Sequence, residues 1–148
     1  MIRKSARTLE LLDGDQSIKM IDIVLGSAPS GTKLVEGDGR TPEGSFYIFT
    51  KNRESKFHRS LAVSYPDRPA AERGLAQALI TREEFDAIVD AVDTGERPPQ
   101  KTRLGGEIYI HGGGTDGDWT QGCIAVDDRA IEELFDAVTV GCPVVIEP

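Results

Sequence analysis

His111 and Cys123 stand twelve residues apart in IHGGGTDGDWTQGCIAV, Ile110 to Val126, in a chain with only two histidines and two cysteines. A thiol becomes a nucleophile when a neighbour lowers its pKa or takes its proton. His111 is the base this stretch offers. Gly122, just before Cys123, permits a tight turn that exposes the sulfur and swings backbone N–H groups toward a substrate oxygen. Such an oxyanion hole is worth about two to three orders of magnitude in rate per donor. Gly112, Gly113 and Gly114 let the chain leave the histidine tightly, and a backbone carbonyl there can fix the imidazole tautomer as the third member of a triad does. Spacing alone leaves other readings open. A turn can hold both residues by accident, and so can half of a zinc site. Zinc wants three or four ligands in patterns such as CxxC or HExxH. Only His58, Cys142 and carboxylates remain to complete a set, and no metal spacing is present.

The elements around this stretch must hold it rigid. GEIYIH reads as a strand ending at His111. DDRAIEELFDAV, beyond Cys123, reads as an amphipathic helix capped by Asp127, with Ile131, Leu134, Phe135 and Val138 on one face. Upstream, RTLELLDGDQSIKMIDIVLG reads as a hairpin turning at Asp13-Gly14-Asp15. A Gly- and Pro-containing loop leads to a strand at Phe46–Phe49, and SLAVSYP is a further strand. RPAAERGLAQALITREEFDAIVDAVDTG reads as helical, with a Thr81/Glu84 capping box before Phe85, Ile88, Val89 and Val92. CPVVIE closes the chain as a strand, with Cys142 read as a small buried residue and a Cys123–Cys142 bridge unsupported. The order is mainly β with α insertions. It suits a β-sandwich or barrel with one or two helices rather than a doubly wound sheet.

The 148 residues fit one domain, 1–148. A net charge of −8 with scattered basic residues argues against a nucleic-acid partner. Apolar runs of about five residues fall far short of the roughly twenty that a spanning helix needs. The N-terminal MIRKSARTLELLDGD has no apolar core of a signal peptide.

HGGGTDGDWTQGCIAV resembles the active-site signature of the L,D-transpeptidases, the YkuD-type catalytic domain of bacterial cell-wall enzymes. The matching elements are His111, then Thr120, Gln121, Gly122 and Cys123. The resemblance continues in LGSAPSGTKLVEGDGRTPEGSFYI, in SKFHRSLAVSYP and in the final VGCPVVIEP. It spans about residues 20 to 148, and its DWTxGCIAV form is similar to one subgroup. It implies a cysteine acyltransferase that needs no cofactor and acts on peptidoglycan stem peptides. Cys123 would attack the bond between the L-centre of a diamino acid and D-Ala. An amine would then capture the thioester to give a 3→3 cross-link. Capture by water would make it an L,D-carboxypeptidase instead, and a non-catalytic peptidoglycan-binding domain is the reading from another class. The resemblance also implies inhibition by β-lactams such as carbapenems and a place in the cell envelope, with a cytoplasmic place the alternative because this sequence shows no signal peptide. It gives His111 the role of base, Gly122 and Cys123 oxyanion N–H groups, and Gly112 the carbonyl that orients His111. Thr120 takes the position of a supporting hydroxyl and, with Gln121, would face substrate. The chain departs from the pattern at Gln121, where many members have His, and at Ala125, where many have Arg or Asn. A missing Arg removes a fork that suits carboxylates.

Five further expectations concern the cleft. His58 would touch substrate at the cleft wall or be an ordinary strand residue, and Tyr109 would present its hydroxyl to the cleft or simply sit in its strand. Arg40 would bind a carboxylate or, the favoured reading, brace its own loop. Trp119 would bind ligand or, the favoured reading, pack beside the nucleophile turn. The segment from Ile80 to Lys101 would be a lid or, preferably, a surface helix.

Overall fold

The D-G turn forms as its sequence signals. In the computed structural model, which describes residues 1–148, Gly14 sits at φ 60° between two antiparallel strands. The strands, in chain order, are β1 (Ile2–Arg3), β2 (Thr8–Asp13), β3 (Gln16–Asp22), β4 (Gly44–Ser55), β5 (His58–Val63), β6 (Tyr109–His111), β7 (Ile124–Ala125) and β8 (Pro143–Glu147). The helices are α1 (Arg68–Ala76), α2 (Arg82–Thr94) and α3 (Asp128–Ala137).

All eight strands join one sheet in the order β3-β2-β1-β8-β4-β5-β6-β7. β4 is long enough to serve two neighbours. Its Gly44–Tyr47 half pairs with β8 and its Ile48–Ser55 half pairs with β5, with register shifts at Ile48/Thr50 and Asn52/Ser55 within the second pairing. Such irregularities bend and twist a strand, and the sheet curls. Beyond β3 the chain bridges β7 through Val24 and Ala125, which brings the two edges of the sheet together. The barrel-like β core is therefore as the sequence suggests, with three helices instead of one or two.

The third helix comes from a break. Leu79 N–H and Ile80 N–H both turn back onto the Gly74 carbonyl, and Ala78 takes φ 56°, so the long helical stretch ends at Ala76 and restarts at Arg82. α2 opens on the expected capping box: the Thr81 side chain accepts from Glu84 N–H, and the Glu84 carboxylate accepts from Thr81 N–H. It ends on Gly95 at φ 72°. Ile88 is fully buried, and the Tyr47 hydroxyl donates to the carbonyls of Ala91 and Glu96. The helix expected in the Ile80–Lys101 segment is thus a packed surface helix, and the residues after Gly95 run on as loop. No helix is long and apolar enough to cross a membrane.

α3 packs on β5 and β6. Its Ile131, Leu134 and Phe135 join a core of 26 residues that includes Leu61 and Ile110. Burying one such side chain is worth about 1.5–3 kcal/mol. Ile110 is thereby fixed toward the core. Strand alternation then turns its neighbours Tyr109 and His111 to the opposite face. Cys142 is only half-buried, and both cysteines are free thiols.

Candidate active site

β6 and β7 run parallel, with Ile110 beside Ile124 and His111 beside Ala125. This pairing seats Cys123, the residue before β7, next to Tyr109. Tyr109 N–H lies 3.4 Å from the Cys123 sulfur. His111 and Cys123 line one open cleft of about 740 Å³, together with Tyr109, Thr120, Gln121 and Trp119.

The glycines at the two ends of the connecting loop answer to space. A Cβ on Gly112 would stand 2.6 Å from Asp128 Oδ1 and 2.9 Å from the Phe57 carbonyl. Gly122 takes φ 119°, and its Cβ would stand 2.8 Å from the Arg40 carbonyl. Both approaches exclude a side chain.

His111 is buried, and its Nδ1 lies 2.6 Å from the Gly112 carbonyl oxygen. A carbonyl only accepts, so Nδ1 carries the proton and Nε2 keeps its lone pair. The ring stacks on Phe57, with centroids 4.5 Å apart and planes 22° apart. Trp119 packs at 5.5 Å from the imidazole and 5.2 Å from Phe57 and donates its indole N–H to the Gly114 carbonyl. Burial holds the His111 pKa below its ordinary value, against the Gly112 hydrogen bond, which raises it. Burial also pushes the Cys123 thiol up, against Tyr109 N–H and Lys33, which pull it down. Both directions favour a neutral thiol beside a neutral imidazole.

The turn before the cysteine is cross-braced. Thr120 Oγ1 donates to the Cys123 carbonyl at 2.7 Å and accepts Gly122 N–H at 3.2 Å. Thr41 Oγ1 donates to the Gly122 carbonyl at 2.7 Å. This corrects two expectations. The Gly122 N–H is already engaged, so it is not a free oxyanion donor, whereas Cys123 N–H has no acceptor within the protein. The Thr120 hydroxyl holds the turn rather than substrate.

One more expected contact fails. His58 does not line the cleft. It sits at φ 76° at the tip of the β4–β5 hairpin, and its Nε2 lies 2.7 Å from Glu132 Oε1 on α3. Phe57, in the turn just before it, lines the cleft instead. Arg40 does not line the cleft either; its guanidinium lies against Gly31, and its backbone N–H donates to Asp38 Oδ1 within the loop. Tyr109 and Gln121 do border the cleft, Tyr109 half-buried and Gln121 exposed. Cys142 Sγ donates to the Pro143 carbonyl at the far side of the sheet, so neither it nor His58 converges on His111 and Cys123.

Sequence reasoning missed Phe57, Gln100, Glu107 and Asp128. Asp128 accepts Gly113 N–H at 2.9 Å, and Glu107 offers its carbonyl to the Cys123 thiol at 3.4 Å. Phe57 and Glu107 act through ring placement and a main-chain oxygen, which no motif announces. Asp128 lies one residue past a readable helix cap.

The YkuD family model, the L,D-transpeptidase catalytic domain, matches residues 1–146. No curated protein matches the chain at significant similarity. Among solved structures, the helical cell shape determining protein Pgp2 from Campylobacter jejuni aligns at TM-score 0.64 and 22% identity, over 99% of this chain and 46% of its own. L,D-transpeptidase 1 from Mycobacterium tuberculosis aligns at TM-score 0.55 and 17% identity, over 99% of this chain and 59% of its own. LdtMt1 in complex with imipenem aligns at TM-score 0.55 and 17% identity, over 97% and 56% of the two chains. At these identities the likeness is one of fold, and this chain spans about half the length of each.

Proposed function

Because the chain belongs to the L,D-transpeptidase catalytic-domain family, we propose that it is a cysteine peptidyltransferase acting on peptidoglycan stem peptides in the cell envelope. The observation that carries the reading is the His111 tautomer. Its Nδ1–H is held by the Gly112 carbonyl, so Nε2 is the lone pair available in the cleft that Cys123 lines.

The chemistry follows from these groups. Nε2 takes the thiol proton as Sγ attacks the carbonyl carbon at the L-centre of the diamino acid. Cys123 N–H donates to the oxygen as negative charge develops on it. The C–N bond to D-Ala breaks, and Nε2–H returns the proton to the departing amine. A second stem's amine attacks the thioester, passes its proton to Nε2, and the thiolate regains it as it leaves. Water in place of the amine makes the product a shortened stem. β-Lactams would acylate the same sulfur by ring opening, and the imipenem-bound relative makes imipenem a suitable probe.

The test is intact-protein mass after incubation with imipenem, on wild type and on Cys123→Ala, followed by a tetrapeptide donor with and without an amine acceptor. An adduct on wild type alone, and a cross-linked product with the acceptor, support the reading. Release of D-Ala with no dependence on acceptor makes the enzyme a carboxypeptidase. No adduct on folded wild type, with no D-Ala released, leaves a domain that binds without chemistry and sinks the proposal.

A further inference from the structure

Gln100 lies outside every motif of the sequence, yet it is 7% exposed and uses its whole amide. Its Nε2 donates to the Tyr65 carbonyl at 2.8 Å and to the Pro98 carbonyl at 2.9 Å. Its Oε1 accepts Glu107 N–H at 2.7 Å. Glu107 is held at φ 57°, a left-handed conformation that a residue with a side chain adopts at a cost. The segment leading to it passes hard against Gln100. A Cβ on Gly106 would stand 2.7 Å from the Gln100 carbonyl oxygen and 2.9 Å from Oε1. The effect is local: the Glu107 carbonyl points at the Cys123 sulfur, which donates to it at 3.4 Å, while Tyr109 N–H donates to the same sulfur at 3.4 Å from the next turn of chain.

We propose that Gln100 is a positioning residue for the nucleophile, fixing the Glu107 peptide so that the thiol is clasped between the Glu107 carbonyl and the Tyr109 N–H. This rests on the reading of Cys123 as nucleophile and extends it to the resting state. The S–H hydrogen bond gives the sulfur a defined direction before substrate arrives. The Glu107 oxygen accepts from S–H but faces a thiolate lone pair to lone pair, so this half of the clasp favours the neutral thiol, while Tyr109 N–H favours the thiolate. Proton transfer to His111 Nε2 then coincides with release of S–H from Glu107. Ionisable groups around the sulfur are His111 and Tyr109 on β6, Lys33 and Glu36 in the loop before β4, Lys56 at the β4–β5 turn, and Glu107 itself, which pairs with Lys101. Gln100 carries no charge, so its replacement by an uncharged residue changes the clasp without changing that field.

Removing the clasp moves two readouts, the acylation rate and the thiol's pH midpoint, both downward. In Gln100→Met the side-chain length is kept and the hydrogen bonds are lost. Acylation by imipenem should slow at least about tenfold, because misplacing a reacting atom is costly. The pH midpoint for alkylation of Cys123 by iodoacetamide, read on its own peptide so that Cys142 does not contribute, should fall by more than about half a unit as the S–H loses its acceptor. Slower acylation with an unmoved midpoint would mean general loosening and would overturn the proposal, as would no change in either. If Gln100→Met melts below assay temperature, Gln100→Asn, whose amide falls one methylene short, is read in the same way. Should wild type take up no imipenem and release no D-Ala, the transpeptidase reading fails, and the alkylation midpoint still decides the clasp.

Discussion

Burial of His111 has a consequence that can be measured without any substrate. Its pKa is lowered in the fold relative to the ordinary 6.5, mainly by desolvation. The unfolded chain therefore binds the proton more readily. Stability from this group is present above pH 6.5 and is lost as pH falls below it toward the folded pKa. Denaturant unfolding followed from pH 8 to 4.5 should show wild type losing more stability than His111→Gln over that window. Equal slopes would mean that the imidazole is not desolvated. Gly112→Ala tests the same corner by volume. Its Cβ would strike Asp128 Oδ1 and the Phe57 carbonyl, and Phe57 is the ring stacked on His111. The expected result is a loss of about 1–3 kcal/mol, from overpacking, together with slower acylation. His58→Ala, by contrast, breaks an exposed pair with Glu132 and should cost no more than about 1 kcal/mol, with acylation within about twofold of wild type. His111 and Cys123 were legible because the glycines that allow their geometry flank them in sequence. His58 was misread because its side depends on a hairpin tip whose handedness the sequence does not display.

Elements with a local cause were legible, and those with a distant one were not. The Asp13–Asp15 turn, the Thr81/Glu84 box and the Asp127 cap are each encoded within a few residues, and each forms where its signal stands. β1 and β7 are two residues long, too short for alternation to register. They exist because Ile2 meets Ile146 and Ile124 meets Ile110, pairings from far along the chain. The break between α1 and α2 is a third case, set by Gly74 receiving two N–H groups and by Leu104 packed on Gly74, where a Cβ would stand 2.8 Å from it. The separation of α2 from the cleft gives a clean prediction. Thr81→Ala removes half of the capping box and should cost about 0.5–2 kcal/mol by denaturant titration. The imipenem acylation rate should stay within about twofold of wild type. A large fall in rate would mean that α2 gates the site after all.

At the scale of the whole molecule, the start of the chain is tied to the nucleophile turn by a short path of buried contacts. Lys4 follows β1 and is 2% exposed. Its Nζ donates to the carbonyls of Gly31 and Thr41 and pairs with Glu43 at 3.1 Å. Thr41 in turn donates to the Gly122 carbonyl, one residue from Cys123. The resemblance in sequence begins near residue 20, whereas the family model takes in residue 1. Lys4 gives that wider span a physical reason, since the loop carrying Thr41 is pinned from the N-terminal strand. A lysine charge this deep is stable only while its partners hold it. Lys4→Met should therefore cost about 3 kcal/mol, the low end for removing one partner of a buried ion pair, because Glu43 keeps 21% exposure and can be rehydrated. If residues 1–148 act as one catalytic unit, the loss should reach the site. Acylation by imipenem should slow at a temperature where the variant is still folded by circular dichroism, while Ser5→Ala, an exposed neighbour, changes neither quantity. A variant that is destabilised yet acylates at the wild-type rate would show that the loop holds the nucleophile turn without help from the N-terminal strand.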